Sequence, residues 1–442
     1  MLDFIKNNKL IVGAATLIVV MIVAIFVLFF LARRADPEVE NQNPFGDTGA
    51  ERPLPTGTDT DLFFGTTSER FIPDGATGTI VPEFRAVTKI PVIGAAVYER
   101  VEDGKMVEYI RFTSRTNGHV FDTPLTTLGE ETNVSSKTIL RIGSAKWSKN
   151  GSSTVSRYFD EGGTQMFAYI SHGVYGTSTD TAPTPIDFVG RPVVETMQDV
   201  ALSPRGNELF YLVTNNEGSI GYLENVDTGA RTQVWSSLLR NLSVSWETGN
   251  RILIYSNPSS YTEGAVWSLN PSTKTTSVLL ANKIALAAKT NGSGTKLLYS
   301  LEETENTIFS LRILDVGTGN TSHLPLATIV EKCAWGPQGS KYVYCAIPRK
   351  EPHGKFLEDW YMGLVNSDDV LWRLDTETGV VKKLLDPVEV TEEEFDMVDL
   401  VVSPQEDYVL FRTRINSVLW ALKLPERSTV AVTEDEEDTE EE

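Results

Sequence analysis

The sequence predicts an all-β fold: a seven-bladed β-propeller of four-stranded blades, preceded by a single transmembrane α-helix. Three observations predict it. Short β-branched runs alternate with Gly, Pro, Asn and Asp turns over residues 82–425; hairpins of two recurring types return about every 45 residues; and residues 10–32 form one uncharged apolar run.

The apolar run comes first in the chain. LIVGAATLIVVMIVAIFVLFFLA, 10–32, carries no charge, and at helical rise it covers about 30 Å, the thickness of a bilayer core. A cleavable signal peptide has a shorter apolar stretch followed by a small-residue cleavage site. This run instead ends in Phe29, Phe30, Leu31, Ala32, Arg33 and Arg34, so an uncleaved anchor is expected, with the lipid bilayer as its partner. Lys6 and Lys9 precede the span and Arg33 and Arg34 follow it, so the positive-inside rule nearly cancels. A short tail, 1–9, ahead of a large domain is the form of a signal anchor. It places the N-terminus in the cytoplasm and the propeller outside, in the cell membrane or envelope.

Residues 33–81 are rich in Pro, Gly, Asp, Asn and Thr without apolar period, which predicts a flexible stalk. At the other end, 434–442 is a nearly continuous acidic run, and 426–442 is expected to be a disordered, solvated tail. It accounts for much of the formal charge of −21. An acidic chain without a Lys/Arg stripe has no means of neutralising phosphates, so no nucleic-acid partner is expected.

The hairpins of the first type are AKWSKNGSSTVSRYF (145–159), VALSPRGNELFYLV (200–213), VSWETGNRILIYS (244–256), AAKTNGSGTKLLYS (287–300), CAWGPQGSKYVYCA (333–346) and VVSPQEDYVLFRT (401–413). Each places a polar turn between two apolar strands. The second type follows: NVDTGARTQVW (225–235), LNPSTKTTSVLL (269–280), LDVGTGNTSHLPL (314–326) and LDTETGVVKKLL (374–385), with Gly229, Gly319 and Gly379 suited to a positive φ. A further unit begins at Ala95. The last unit supplies only three strands, so 84–91 is expected to complete it and close the ring.

These W/L-S-P-x-G and D-x-x-T-G units resemble the TolB-like, WD40-like propeller repeats that also occur ahead of prolyl-oligopeptidase catalytic domains. The resemblance covers about residues 84–425. It implies a propeller that binds proteins, peptides or glycans, or that gates an attached enzyme. Glu247 and Thr248 replace Ser-Pro in one unit, and Lys289–Gly292 has no Pro.

No catalytic constellation stands out. A serine hydrolase needs G-x-S-x-G at a strand-to-helix turn; NGSGT (291–295) has Ser between glycines but falls in a hairpin. His119, His172, His323 and His353 show no metal-ligand spacing, and the acidic tracts EETEN and DPVEVTEEEFD lack the calcium-loop alternation and read as solvated faces. No catalytic residue, cofactor or metal is expected. A glycan or peptide hydrolase or lyase with its site in the central channel is the alternative to a binding or scaffold protein.

Cys333 and Cys345 bracket the turn GPQGS, which sets them opposite each other on adjacent strands. Either a disulfide or two buried thiols fits that placement. Two stretches exceed what a blade needs: 171–192 and 348–369. Long loops on a rigid scaffold carry binding residues, and the second combines Arg349, Lys350 and Lys355 with Phe356, Trp360, Tyr361 and Met362. These seven are the candidate residues for a protein, peptide or glycan partner; a short helix packing over the rim is the competing reading of the same stretch.

Overall fold

The computed structural model describes residues 81–102, 104–128, 131–175, 185–193, 196–303, 309–350 and 355–425. The tail 1–9, the span 10–32, nearly all of the stalk 33–81 and the acidic end 426–442 lie outside them. Among the described residues no helix is long and apolar enough to cross a membrane.

Strands dominate. The only helical elements among the described residues are α1 (Phe356–Tyr361), α2 (Pro387–Thr391) and a 3-10 turn, Val330–Lys332. The strands form five four-stranded sheets and one of seven strands, all antiparallel between neighbours. One sheet shows the plan: Asp199–Leu202, Glu208–Asn215, Gly218–Asn225 and Arg231–Ser237 follow in sequence order, joined by hairpins.

The repeated turns explain the repeated sequence. In the first hairpin type, a side-chain oxygen caps the backbone N–H five residues on: Ser148 accepts from Ser153 at 3.0 Å, Ser203 from Glu208 at 3.1 Å, Asn291 from Lys296 at 3.0 Å and Ser403 from Tyr408 at 3.1 Å. In the second type the Asp or Asn accepts from a Thr N–H three residues on: Asn225 from Thr228 at 2.8 Å, Asn270 from Thr273 at 3.0 Å, Asp315 from Thr318 at 2.8 Å and Asp375 from Thr378 at 3.1 Å. The next residue takes a positive φ each time, which Gly229, Gly319 and Gly379 adopt without strain and Lys274 adopts without being glycine.

Phe84–Ala86 pairs antiparallel with Leu419–Lys423 as the outer strand of the last sheet, so the first and last strands share one sheet as the three-strand count at the C-terminal end required. Apolar clusters then fill the space between consecutive sheets. Val155, Ile170, Val200 and Leu209 form one such layer, Leu298, Leu311, Cys333 and Val343 another. Val92, Ile110, Leu410 and Leu419 join the last sheet to the first. That cyclic packing is the arrangement of a β-propeller.

Two boundaries differ from expectation. The hairpin units at 244–280 and 287–326 do not separate, because Thr276–Thr290 runs through both as one strand, pairing with Glu263–Leu269 and then with Lys296–Glu302. Its sequence has no Gly or Pro to stop it; Asn282 and Ala285 bend it instead, each at φ 56°. Much of the supposed insertion at 171–192 is also strand. Met166–Tyr175 and Pro185–Val193 pair with each other, and Phe188 is buried against Trp147, Val120 and Val134.

Chain direction gives the ring two faces. The first strand of each sheet neighbours the first strands of the adjacent sheets and so lines the centre. The two repeated turn types lie on one face. The links between second and third strands, and between one sheet and the next, lie on the other. Lys423 donates its backbone N–H to the Glu83 carbonyl at 2.6 Å, so both ends of the described chain lie on the turn face.

Candidate functional site

The stretch 348–369 projects from the connection face, and its base is fastened by charge. Arg349 donates to Asp368 Oδ2 at 2.8 Å and Asp386 Oδ2 at 2.9 Å, and the guanidinium holds the Asp386 carboxyl below its ordinary range. Arg349 is thus bound to its own fold. Lys350 and Lys355 are exposed.

Six residues in the stretch form α1. Its apolar positions, Leu357 and Trp360, fall one turn apart and go inward. They pack with Ala285, Phe309, Ile329 and Val398, while Phe356 is half-buried with its ring 6.2 Å from that of Phe309. On the side toward the seven-stranded sheet, Glu358 accepts from Ser259 Oγ at 3.1 Å and Ser260 N at 2.8 Å. On the side toward the last sheet, the Arg414 guanidinium lies 4.3 Å from the Trp360 ring centre and donates to the Trp360 carbonyl. The helix therefore crosses from one sheet's links to another's over the connection face.

The seven candidate residues separate by burial. Trp360 is buried and Phe356 partly so, the packing role expected of a rim helix. Tyr361 and Met362 point out, at 43 % and 64 % exposed, with Leu364 beside them at 69 %. The Tyr361 hydroxyl also donates to Glu331. Other exposed large apolar residues share this face: Leu140, Leu238 and Leu239 in links between sheets, Tyr261 and Ile415 in links between second and third strands. The opposite turns contribute fewer, Val380 being one.

Beneath α1 lies a set of buried charges that inspection of the sequence did not single out. Lys332, fully buried, donates to Asp369 Oδ2 and Asp396 Oδ1, each at 2.6 Å. Asp396 also accepts the Trp360 indole N–H at 2.9 Å. Two acids of the tract 386–396, Asp386 and Asp396, are thus internal ion-pair partners rather than part of a solvated face. The available signal was a charge set against apolar strands, in VEKCAW, SDDVLW and FDMVDL.

Along the centre, Lys289 donates to the carbonyls of Glu331 at 3.2 Å and Cys333 at 2.8 Å. Burial pushes its ammonium down, opposed by the charges of Glu331, Glu247 and Asp399. Those carboxylates come from two sheets and the 3-10 turn, yet no three His, Cys, Asp or Glu among the described residues group as metal ligands. His119 bonds Thr138 and Asn133, His172 lies 3.7 Å from Asp227, and His353 is outside the described residues. At the outer rim, Gln233, Trp235, Ser236, Trp267 and Thr276 line an open groove of about 580 Å³. NGSGT lies in a hairpin turn, with Gly294 at φ 73°.

Cys333 and Cys345 face each other in register and their sulfurs are 2.10 Å apart, in bonding contact, with both residues buried.

No protein-family model matches the chain, and no curated protein matches it. Similar solved structures include the tricorn protease, at 12 % identity and TM-score 0.48, matched over 76 % of this chain and 33 % of that one. This chain therefore spans about a third of the tricorn protease's length. Others are the oligogalacturonate lyase of Vibrio parahaemolyticus (10 % identity, TM-score 0.46, 77 % of this chain and 99 % of that one) and TolB from Acinetobacter baumannii (11 %, 0.39, 65 % and 78 %). Likenesses of this degree concern fold and say nothing of substrate or partner.

Proposed function

We propose that the protein is a membrane-anchored, extracytoplasmic propeller that binds a protein, peptide or glycan partner through its connection face. Residues 10–32 are the anchor, and the ring counts seven blades, the seven-stranded sheet being two blades that share Thr276–Thr290. The observation that carries the reading is that exposed large apolar residues, Tyr361, Met362, Leu364, Ile415, Leu238 and Tyr261 among them, are more numerous in the links of this face than in the turns of the other. Tyr361, Met362 and Leu364, neighbours in one link, are its centre, and exposed apolar groups that adjoin mark interaction surfaces. The ends of the described chain lie on the other face. A disulfide at Cys333–Cys345 fits an oxidising compartment.

Protease added to intact cells tests the side of the membrane: the propeller is digested or released if it is outside, and survives until lysis if it is inside. Capture on the full-length chain tests the face. Met362→Ser with Leu364→Ser, both exposed, should abolish recovery of the partner at unchanged thermal stability, and unchanged recovery contradicts the assignment.

A second reading, a glycan or peptide hydrolase or lyase, draws on Glu247, Glu331 and Asp399, which all act on Lys289 in the channel. Glu247→Gln should then remove turnover of oligosaccharide or peptide substrates while leaving partner capture intact.

A further inference from the structure

The Lys332 cluster holds the parts of a condensation reaction. Lys332, Asp369 and Asp396 all have side chains at 0 % exposure, and the ammonium nitrogen is 2.6 Å from an oxygen of each carboxylate. A nitrogen so placed stands roughly 3–3.5 Å from the carboxyl carbon, the separation of a near-attack arrangement.

The two carboxylates are held differently. Asp396 Oδ2 accepts from the Trp360 indole at 2.9 Å and from Ser367 N at 3.3 Å, and the Arg414 guanidinium is 3.8 Å away, so both of its oxygens are engaged. Asp369 Oδ2 accepts from the Met397 backbone N–H at 2.8 Å, while its Oδ1 is buried with no partner. A carboxylate that only fastened an ion pair would be expected to have both oxygens satisfied. Burial also pushes the Asp369 carboxyl up, toward the neutral form that a nucleophile attacks.

We infer that Lys332 condenses with Asp369 to form an intramolecular isopeptide bond, with Asp396 as the base. The Lys332 ammonium gives one proton to Asp396, which keeps it. The freed amine attacks Cγ of protonated Asp369 and the Nζ–Cγ bond forms. The Met397 N–H supports charge on Oδ2, which becomes the amide carbonyl. The Cγ–Oδ1 bond breaks, and Oδ1 departs with its own proton and a second proton from nitrogen as water. Condensation is unfavourable in bulk water, but here the reactants are held together and water is excluded. The product ties the 3-10 turn to the start of Asp369–Asp375. It sits one residue from Cys333, so two covalent links would brace the sheet that carries α1.

Intact-mass measurement of the reduced full-length chain tests this directly and needs no variant. The expected mass is one water below that of the sequence, and tryptic digestion gives a branched peptide joining the segments of Lys332 and Asp369, with no cleavage after Lys332. Asp369→Ala and Asp396→Asn should each restore the full mass of their own sequence. A wild-type chain of full mass that trypsin cuts after Lys332 overturns the inference, as does a branch at Asp396. Water loss without a branched peptide, as from a succinimide elsewhere, overturns it too.

Discussion

The two faces of the ring are built on different terms. On the turn face, most hairpins satisfy their own polar groups by one recurring device: Ser203 caps Glu208 and Asp375 caps Thr378. On the connection face, the links differ in length and sequence, α1 lies across neighbouring sheets, apolar side chains are left exposed, and three charged residues are buried under a tryptophan. Repetition marks what the ring needs in order to exist. Departure from it marks what the ring does not need, and is where the proposed binding surface lies.

Trp360→Ala breaks the comparison most severely. It removes a buried indole, its bond to Asp396 and its stacking with Arg414, and should cost about 3–5 kcal/mol. Thermal unfolding of the membrane-free propeller would measure it, and exchange protection should fall first over 355–365. A loss below about 1 kcal/mol would show that α1 is merely draped on the ring.

Gly379→Val tests the opposite face. A Cβ there meets nothing within 4 Å, and φ is 75°, so the penalty is backbone strain alone, about 1–2 kcal/mol. Partner capture should be unchanged, because the turn lies away from the proposed surface.

Acid sharpens the same contrast. Burial pushes the Asp375 carboxyl up, but the Lys341 ammonium at 2.9 Å and the turn amides outweigh it and hold the group at about 2. A depressed carboxylate contributes stability that is complete above its unfolded value of about 4. That contribution falls away as the pH drops from there through about 2. Lys341→Met should flatten this part of the stability profile, measured as unfolding midpoint against pH, and an unaltered profile would contradict the pairing.

Met362→Ser should alter stability least, by no more than about 0.5 kcal/mol, because the side chain is exposed. Its effect should appear in binding instead.

How much of this could be read in the sequence follows the same division. The D-x-x-T-G and S-P-x-G units were legible because each turn is a local event: the residue that caps and the residue that bends lie within six positions of one another. The outer strand at Phe84–Ala86 could be located because the last unit was one strand short. The continuity of Thr276–Thr290 was hidden, since bends at Asn282 and Ala285 carry no Gly or Pro signal. Lys332, Asp369 and Asp396 were hidden for a different reason. Their partners are 37 and 64 residues away, and only tertiary packing shows that those charges have left water. The aromatic stretch 356–362 was visible as a departure from the repeat, but its division into inward Trp360 and outward Tyr361 and Met362 needed the helix and its neighbours.

The most direct test of the central claim places a photo-crosslinking side chain at Met362 or at Val380 in the full-length protein. These residues are 64 % and 62 % exposed, on opposite faces. The account predicts a discrete crosslinked partner from position 362 and none from 380. Equal yields from both, or a partner captured from 380 alone, would contradict it.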